Sequence, residues 1–594
     1  GWLVDYVSKE RLPFLKGLRY KIPDVDQLNS VSKDFDRLFM NDIDRKEWDS
    51  VTTVFRNQLP DTTIINAVKK MPPEIYAING KTITDKLISR RNDLERASLK
   101  YYDFLAKQVS VLGSNETEVF KVFNEGKNIR VQVLARQGKD TGFVMYDRLF
   151  DPKRTKEIRL YGFRGNDKFD IAANTSYNTF FRIIGGKGDD TFHINSKIRS
   201  YVYDLSTEKN FLAKGGRNAK QRFSTDTKIN DYDINEYQYT IFHFPRINIG
   251  WNADDGFMFG FGLWYRRHGW RKSPYSSEQR LSTLFAAAHK AYQVKYRGFF
   301  VDVFPGIDVL LNAELMNPAL NNFFGFGNNT KVNEDSTIRY YRARFKNVGA
   351  DLLFRKKIAG VLSVFAGPSF YHYWNKQDNN KDYILGKPSL VGLDSSNIYS
   401  VKSYAGAKLG FALNNLNDDL FPTRGINWIT TFTQMQPLND NSHPLTKLES
   451  DMAVYASMSF PARWVTVLRV GGGHIYSDSL EYFQALTLGA NNYLRGFRKN
   501  RFAGTGLAYA SLEFRIKLFE SKSYVFPGQV GLVAFNDVGR VWLKGERSRL
   551  WHYAYGGGFY YVPYNMVLVS ATVALSNEER LVNFTLGTKL NLTF

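Results

Sequence analysis

The sequence predicts a mainly β protein, with a 16-stranded transmembrane antiparallel β-barrel over residues 239–594. Ahead of the barrel it predicts an α+β periplasmic domain, a helical part followed by a β-helix-like part. Three observations carry this prediction. Alternating apolar and polar runs recur from Tyr239 onward, and the last covers about thirteen residues, long enough to cross a bilayer on a tilt. Eleven such runs precede the stretch 491–506 and five follow it, an even total as bacterial single-chain barrels require. No stretch approaches the roughly 20 consecutive apolar residues of a spanning helix. Mean hydropathy is -0.36, so a membrane protein of this composition crosses with strands.

Residues 1–115 form the expected helical subdomain. Asp44 with Glu47 three residues later reads as a capping box, and Ile83, Leu87, Leu94, Ala97, Tyr101 and Leu105 follow helical spacing. From 116 to 205 short β-type runs take over, including "EVFKVF", "IRVQVLAR" and "EIRLYGF". The polar stretch 206–238 reads as a linker. Within the β-rich part, "GGKGDDTFH" (185–193) and "GFRGNDKFD" (162–170) resemble the glycine-aspartate repeat of RTX-type β-rolls, with Phe163 in place of the second glycine. That resemblance implies calcium held by Asp167 and Asp190. Their spacing of 23 residues fits one rung of a broader β-helix, in which Gly-Asp turns stack with Phe169 and Phe192 inside.

The final run shows the barrel pattern most clearly. Val582, Phe584, Leu586, Thr588, Leu590, Leu592 and Phe594 share one face, and Asn583, Thr585, Gly587, Lys589, Asn591 and Thr593 the other. "FMFGFGLWY" repeats it, with Phe257, Phe259, Phe261, Leu263 and Tyr265 opposite Gly260, Gly262 and Trp264. Even-to-odd connections are mostly short and odd-to-even ones mostly long, which places both barrel ends and the N-terminal region in the periplasm. "NADDG" and the long connection 266–279 run against that parity.

The stretch "NNYLRGFRKNRFAGTG" (491–506) lies between the eleventh and twelfth runs and gathers Arg495, Arg498, Lys499 and Arg501. Arg495, Gly496 and Phe497 resemble the Arg-Gly-Phe tip of the sixth extracellular loop in the BamA/TamA superfamily of outer-membrane assembly barrels, the bacterial surface antigen family. "FNDVG" supplies that family's Phe535, Asp537 and Gly539, "DDLFPTRG" (418–425) its characteristic turn, and Phe594 its terminal aromatic assembly signal. The resemblance covers residues 239–594. It implies that Arg495 is clamped inside the barrel. If Leu512, Phe514, Ile516 and Leu518 face lipid, Glu513 turns inward, and Asp537 joins it. A guanidinium fork suits paired carboxylates. Arg498, Lys499 and Arg501 read instead as cations coating a solvated loop.

Pro245, in the first run, removes a ladder N–H. In the family the first and last strands form a seam that opens sideways, so Pro245 reads either as a weak point in that seam or as the start of the strand.

Composition narrows the function. With no cysteine, disulfides, thiolate metal sites and cysteine nucleophiles are excluded. The net charge of +22 is dispersed and accompanied by no nucleic-acid motif, so nucleic acid is not expected as a partner. No catalytic motif is present, and any enzyme domain is expected upstream of Gly1. No signal peptide is visible, so the chain is expected to be a processed form or a piece of a longer protein. Residues 1–235 lack the βααββ (POTRA) repeats of assembly barrels. The leading expectation is a barrel that assists insertion or translocation of proteins. Its partners would be outer-membrane lipid and lipopolysaccharide, client outer-membrane proteins, and periplasmic or lipoprotein accessory subunits. The alternatives are a barrel that exports or anchors its own upstream hydrolase, and a passive pore or receptor.

Overall fold

The computed structural model describes residues 17–588 except 23–24, 30–31, 138–139, 214–218, 234–240, 253–255, 334–335, 491–492, 524–526 and 566. It divides into two compact units, 1–238 and 239–594.

The first unit opens with helices. Asp44 caps Arg45–Asn57, its side chain accepting from the N–H groups of Lys46 and Glu47 while Glu47 reaches back to the Asp44 N–H. Helix Leu94–Leu105 buries Ala97, Tyr101, Tyr102 and Leu105. Its separation from Pro73–Asn92 at Asp93 breaks the single apolar face that the spacing suggested. The helical part also ends sooner than residue 115, because Gln108–Leu112 is a strand paired in parallel with Glu157–Tyr161.

Two sheets of stacked strands then enclose one apolar core. Lys168–Ile171 pairs in parallel with Thr191–Ile194, residue for residue at an offset of 23, for example Phe169 with Phe192. The rings of Phe120, Phe169 and Phe192 stack inside, with centroids 4.5 and 5.1 Å apart. Residues 206–238 are not simply a linker. Phe211–Leu212 pairs with the strand Thr191–Ile194, and Ala219–Ser224 pairs with Ser200–Leu205. Both lie at sheet edges, where polar side chains keep their water, and so the sequence there reads as loop.

Beside the stacked rings runs a column of carboxyl groups. Glu118 N–H donates to Asp167 Oδ1, Asp167 N–H to Asp190 Oδ1, and Asp190 N–H to Asn210 Oδ1, each at 2.7 Å. The Oδ2 atoms of Asp167, Asp190 and Asp204 are buried with no hydrogen-bond donor in reach. A Cβ on Gly162 would overlap Asp167 Oδ2, and one on Gly185 would overlap the Oδ2 atoms of both Asp190 and Asp204, so glycine makes room for the column. Burial pushes the Asp167 carboxyl up to about 9, reinforced by the charges of Asp190 and Glu118. Burial also raises Asp190 and Asp204, the latter further because Asp190 lies beside it.

The second unit is a 16-stranded antiparallel sheet in sequence order, from Ile241–Asn252 to Arg580–Thr588. The alternation sets its faces: Phe257, Phe259 and Phe261 are exposed while Gly260, Gly262 and Trp264 are buried. The end strands come within 8 Å of each other (Cα–Cα), with no shared ladder among the described residues. The long connection expected at 266–279 is a tight turn at Trp270 and Arg271, with Arg271 at φ 55°. Arg266 and Glu278 sit opposite each other in the ladder and form an ion pair, so residues that read as polar loop lie inside the sheet. The eleventh strand, Trp464–Ile475, pairs directly with the twelfth, Gly506–Ser521, and residues 476–505 leave the sheet as a loop.

The raised carboxyls of the column hold protons in the fold that the unfolded chain releases. The stability they provide is complete below the ordinary carboxyl pKa of about 4 and is lost as pH rises toward 9. In the intact chain, resistance of residues 116–224 to trypsin during thermal unfolding should therefore fall between mildly acid and mildly alkaline pH. Asp204→Asn, which keeps the shape but cannot ionise, should lessen that dependence, with Asp167 and Asp190 retaining the rest.

Candidate functional site

Loop 476–505 folds against the inner face of the sheet as a plug. Leu486–Leu488 and Phe502–Gly504 pair as a short antiparallel hairpin. Leu488, Leu494, Phe497 and Phe502 are packed with Tyr509, Val541 and Ala554 of the wall. The apolar residues of an otherwise basic loop thus anchor it, and they deliver Arg495 to the twelfth strand and to the thirteenth, Gly528–Trp542.

Arg495 meets both carboxylates that the alternation turns inward. Its N–H and Nε donate to Asp537 Oδ2 at 3.1 and 2.9 Å, and its Nη2 donates to Asp537 Oδ1 at 2.7 Å. Nη1 donates to Glu513 Oε2 at 2.5 Å. Ser511, a further inward residue of the twelfth strand, accepts from Nη2 at 2.9 Å and donates to Asp537 Oδ1 at 2.6 Å. The guanidinium lies over the Phe535 ring, 3.6 Å from its centroid. Asp537 is fully buried, and these contacts compensate its charge. Gly496 is required by close approach, since a Cβ there would lie 2.8 Å from Ala554 Cβ and 2.9 Å from Leu575 O. At Gly539 a Cβ would press on Leu488 of the plug at 2.6 Å. Phe497 is fully buried beside the rings of Phe502 and His552.

The clamp extends beyond the residues singled out in the sequence. Arg515 Nε donates to Glu513 Oε1 at 2.7 Å, and its guanidinium lies 4.7 Å from the Phe421 ring centroid, in the 418–425 turn. Plug tip, wall and turn therefore form one chain of contacts, Arg495–Glu513–Arg515–Phe421.

The other cations of the loop do not coat a solvated surface. Arg501 is 1% exposed. It pairs with Glu578 at 2.7 and 2.8 Å and donates to Thr330 Oγ1 and O at 2.7 and 2.6 Å. Arg498 grips both oxygens of Glu579, at 2.9 and 3.0 Å, and Lys499 is half-buried. Their partners lie 77 and 81 residues downstream. The sequence signal for them is two adjacent acids in the last turn.

Outside the sheet, loops meet across its mouth. Phe323, Phe324, Tyr341 and Tyr482, with Ile384, Leu385 and Ile398, form a buried cluster drawn from three connections, packed with Phe345 and Tyr373 of the adjoining strands. Asn328 is fully buried. The N–H groups of Asn328 and Asn329 donate to the Glu546 carboxylate at 2.8–2.9 Å, Asn328 Nδ2 donates to Leu550 O at 2.8 Å, and Val541 N–H donates to Asn328 Oδ1 at 3.0 Å. Between plug and wall remains a cavity of about 1010 Å³, lined in part by Lys295, Glu314, Asp351, Lys408, Asp451 and Tyr509. Within it Lys295 pairs with Glu314 at 3.2 Å and Lys408 with Asp351 at 2.8 Å.

Pro245 does not start its strand. It lies within Ile241–Asn252, where the register against the second strand shifts between His243 and Arg246. A bulge is where an interior proline fits. Phe594 lies outside the described residues. Asp167 and Asp190 each spend one oxygen on a backbone N–H of the adjoining rung. Among the described residues no three carboxylate or imidazole groups converge on one point.

Residues 306–559 match the Omp85 superfamily domain. The second unit thus carries a domain of the Omp85 superfamily, in which BamA and CdiB are also placed. Among solved structures the chain is similar to BamA from Haemophilus ducreyi lacking POTRA domains 1-3, with 15% identity over 59% of this chain and 69% of that one and a TM-score of 0.43. It is also similar to CdiB from Escherichia coli (14% identity, 58% of this chain and 61% of that one, TM-score 0.37). CdiB from Acinetobacter baumannii compares at 11% identity over 59% of each chain, with a TM-score of 0.36. The match thus spans about three-fifths of each CdiB chain. None of the curated proteins compared matches the chain.

Removing Arg495 leaves Asp537 buried without its counter-charge, a change that costs about 3–5 kcal/mol in buried pairs. Arg495→Ala should therefore lower the urea midpoint of the detergent-solubilised barrel. Arg495→Ala with Asp537→Asn should recover part of the loss, because no uncompensated charge then remains.

Proposed function

We propose that the chain assists insertion or translocation of proteins at the outer membrane through a lateral seam between Ile241–Asn252 and Arg580–Thr588. The observation that carries this reading is the bulge at Pro245. It weakens the ladder in the first strand, next to a junction with no shared ladder among the described residues. An opened seam presents unpaired strand edges, and a client strand is recognised by such an edge through backbone hydrogen bonds. In this reading the plug is the element held by Arg495, and the N-terminal unit lies in the periplasm. The partners are client outer-membrane proteins, lipid, lipopolysaccharide and accessory subunits. A passive pore is disfavoured by the plug and by the loops joined across the mouth, which obstruct the path.

The N-terminal unit favours a second reading. Helices followed by stacked parallel strands differ from βααββ client-handling repeats, and they suit a barrel that exports or anchors its own passenger domain. Depletion separates the two: lost assembly of many outer-membrane proteins supports insertion, whereas normal assembly with a mislocated passenger supports export.

The chain has no cysteine, so a pair introduced across the two end strands is the sole disulfide. Oxidation of that pair should stop outer-membrane protein assembly and reduction should restore it. Unimpaired assembly with the crosslink fully formed would refute the seam.

A further inference from the structure

We propose that Arg498 and Arg501 form a second clamp, through which the plug holds the last hairpin of the barrel in place. The last strand, Arg580–Thr588, has a ladder on one edge only among the described residues, with Val567–Leu575. A terminal ribbon of this kind is the part of a sheet that opens first, because fewest hydrogen bonds hold it. Here it is gripped from inside. Arg501 takes both oxygens of Glu578, and Arg498 takes both oxygens of Glu579, in the turn that joins the two strands. Asn583, on the inner face of the last strand, donates its Nδ2 to the Arg495 carbonyl at 3.2 Å. Gly496 is pressed against the backbone of Leu575, at the end of the neighbouring strand.

These contacts are built rather than incidental. Arg501 is enclosed between Phe324 and Phe502, whose ring centroids lie 5.0 and 4.6 Å from its Cζ. With its charge buried, leaving Glu578 means leaving an uncompensated cation, which couples the two elements strongly. The turn is itself pre-set, with Ser576 Oγ accepting from the N–H groups of Glu578 and Glu579 at 3.2 Å. Both acids are thereby presented to the plug. The same loop carries Arg495 to the twelfth and thirteenth strands, so one segment ties the wall to the terminal ribbon. Withdrawal of the plug and release of the last strand are then a single event. The consequence for client handling rests on the seam reading given above; the linkage itself does not.

The test uses the full chain in detergent, with spin labels on Val582→Cys of the last strand and Leu409→Cys of the eighth, both exposed on the outer face, opposite to the inward contacts of the clamp. The parent should give one narrow distance. Glu578→Gln with Glu579→Gln, and Glu579→Lys alone, should lose it while heat-modifiable gel mobility shows the barrel still folded. Exchanging the charges of the more accessible pair, Arg498→Glu with Glu579→Lys, should restore it. A distance as narrow as the parent's in both the Gln–Gln and the Lys chains overturns the proposal. Loss of the narrow distance with outer-membrane protein assembly unchanged leaves the clamp standing and removes the insertion reading instead.

Discussion

A carboxylate with no exposed surface, Asp537, sets the terms for the interior of the barrel. Taking that charge out of water is unfavourable unless donors surround it. A side chain arriving from the plug supplies most of them. Arg495 donates to it from its backbone N–H and from two guanidinium nitrogens, and Ser511 adds a hydroxyl. The loop must therefore fold inward for the thirteenth strand to keep its ionised residue. Glu513, Arg515 and Phe421 carry the same constraint to the far turn. The wall and its contents are thus one electrostatic unit.

Much of this was legible in the sequence because a strand has a period of two. Once Leu512, Phe514 and Leu518 are assigned to lipid, Glu513 has nowhere to point but inward, and sixteen runs could be counted on the same logic. Where local pattern and partner lie far apart, the sequence was silent. Arg498 and Arg501 looked like solvated cations because the acids that neutralise them stand in a short turn near the other end of the barrel segment. Residues 219–224 read as linker because an edge strand is as polar as a loop. Pro245 was ambiguous because proline is tolerated both at a strand start and at a bulge, and only the register decides between them. Arg266 and Glu278 looked like loop residues because cross-strand pairing is invisible without the partner strand.

The N-terminal unit solves a different problem with similar chemistry. Its carboxyl groups are also buried, yet among the described residues no arginine pairs with Asp167, Asp190 or Asp204. The fold stacks them and spends one oxygen of each of Asp167 and Asp190 on a backbone N–H. Burial raises all three, so they hold their protons to higher pH than exposed carboxyls do. Glycines 162 and 185 are part of that solution, since any side chain there would occupy the space the carboxyls need. The repeat spacing of 23 residues is set by this stacking as much as by the phenylalanines beside it.

The hub at Asn328 has a mechanical consequence. It joins the connection after the fifth strand to the one after the thirteenth, half a circumference away in strand order. A tie of that kind fixes the separation of two distant loops, so the fifth and thirteenth strands cannot move apart at that end of the sheet without breaking it.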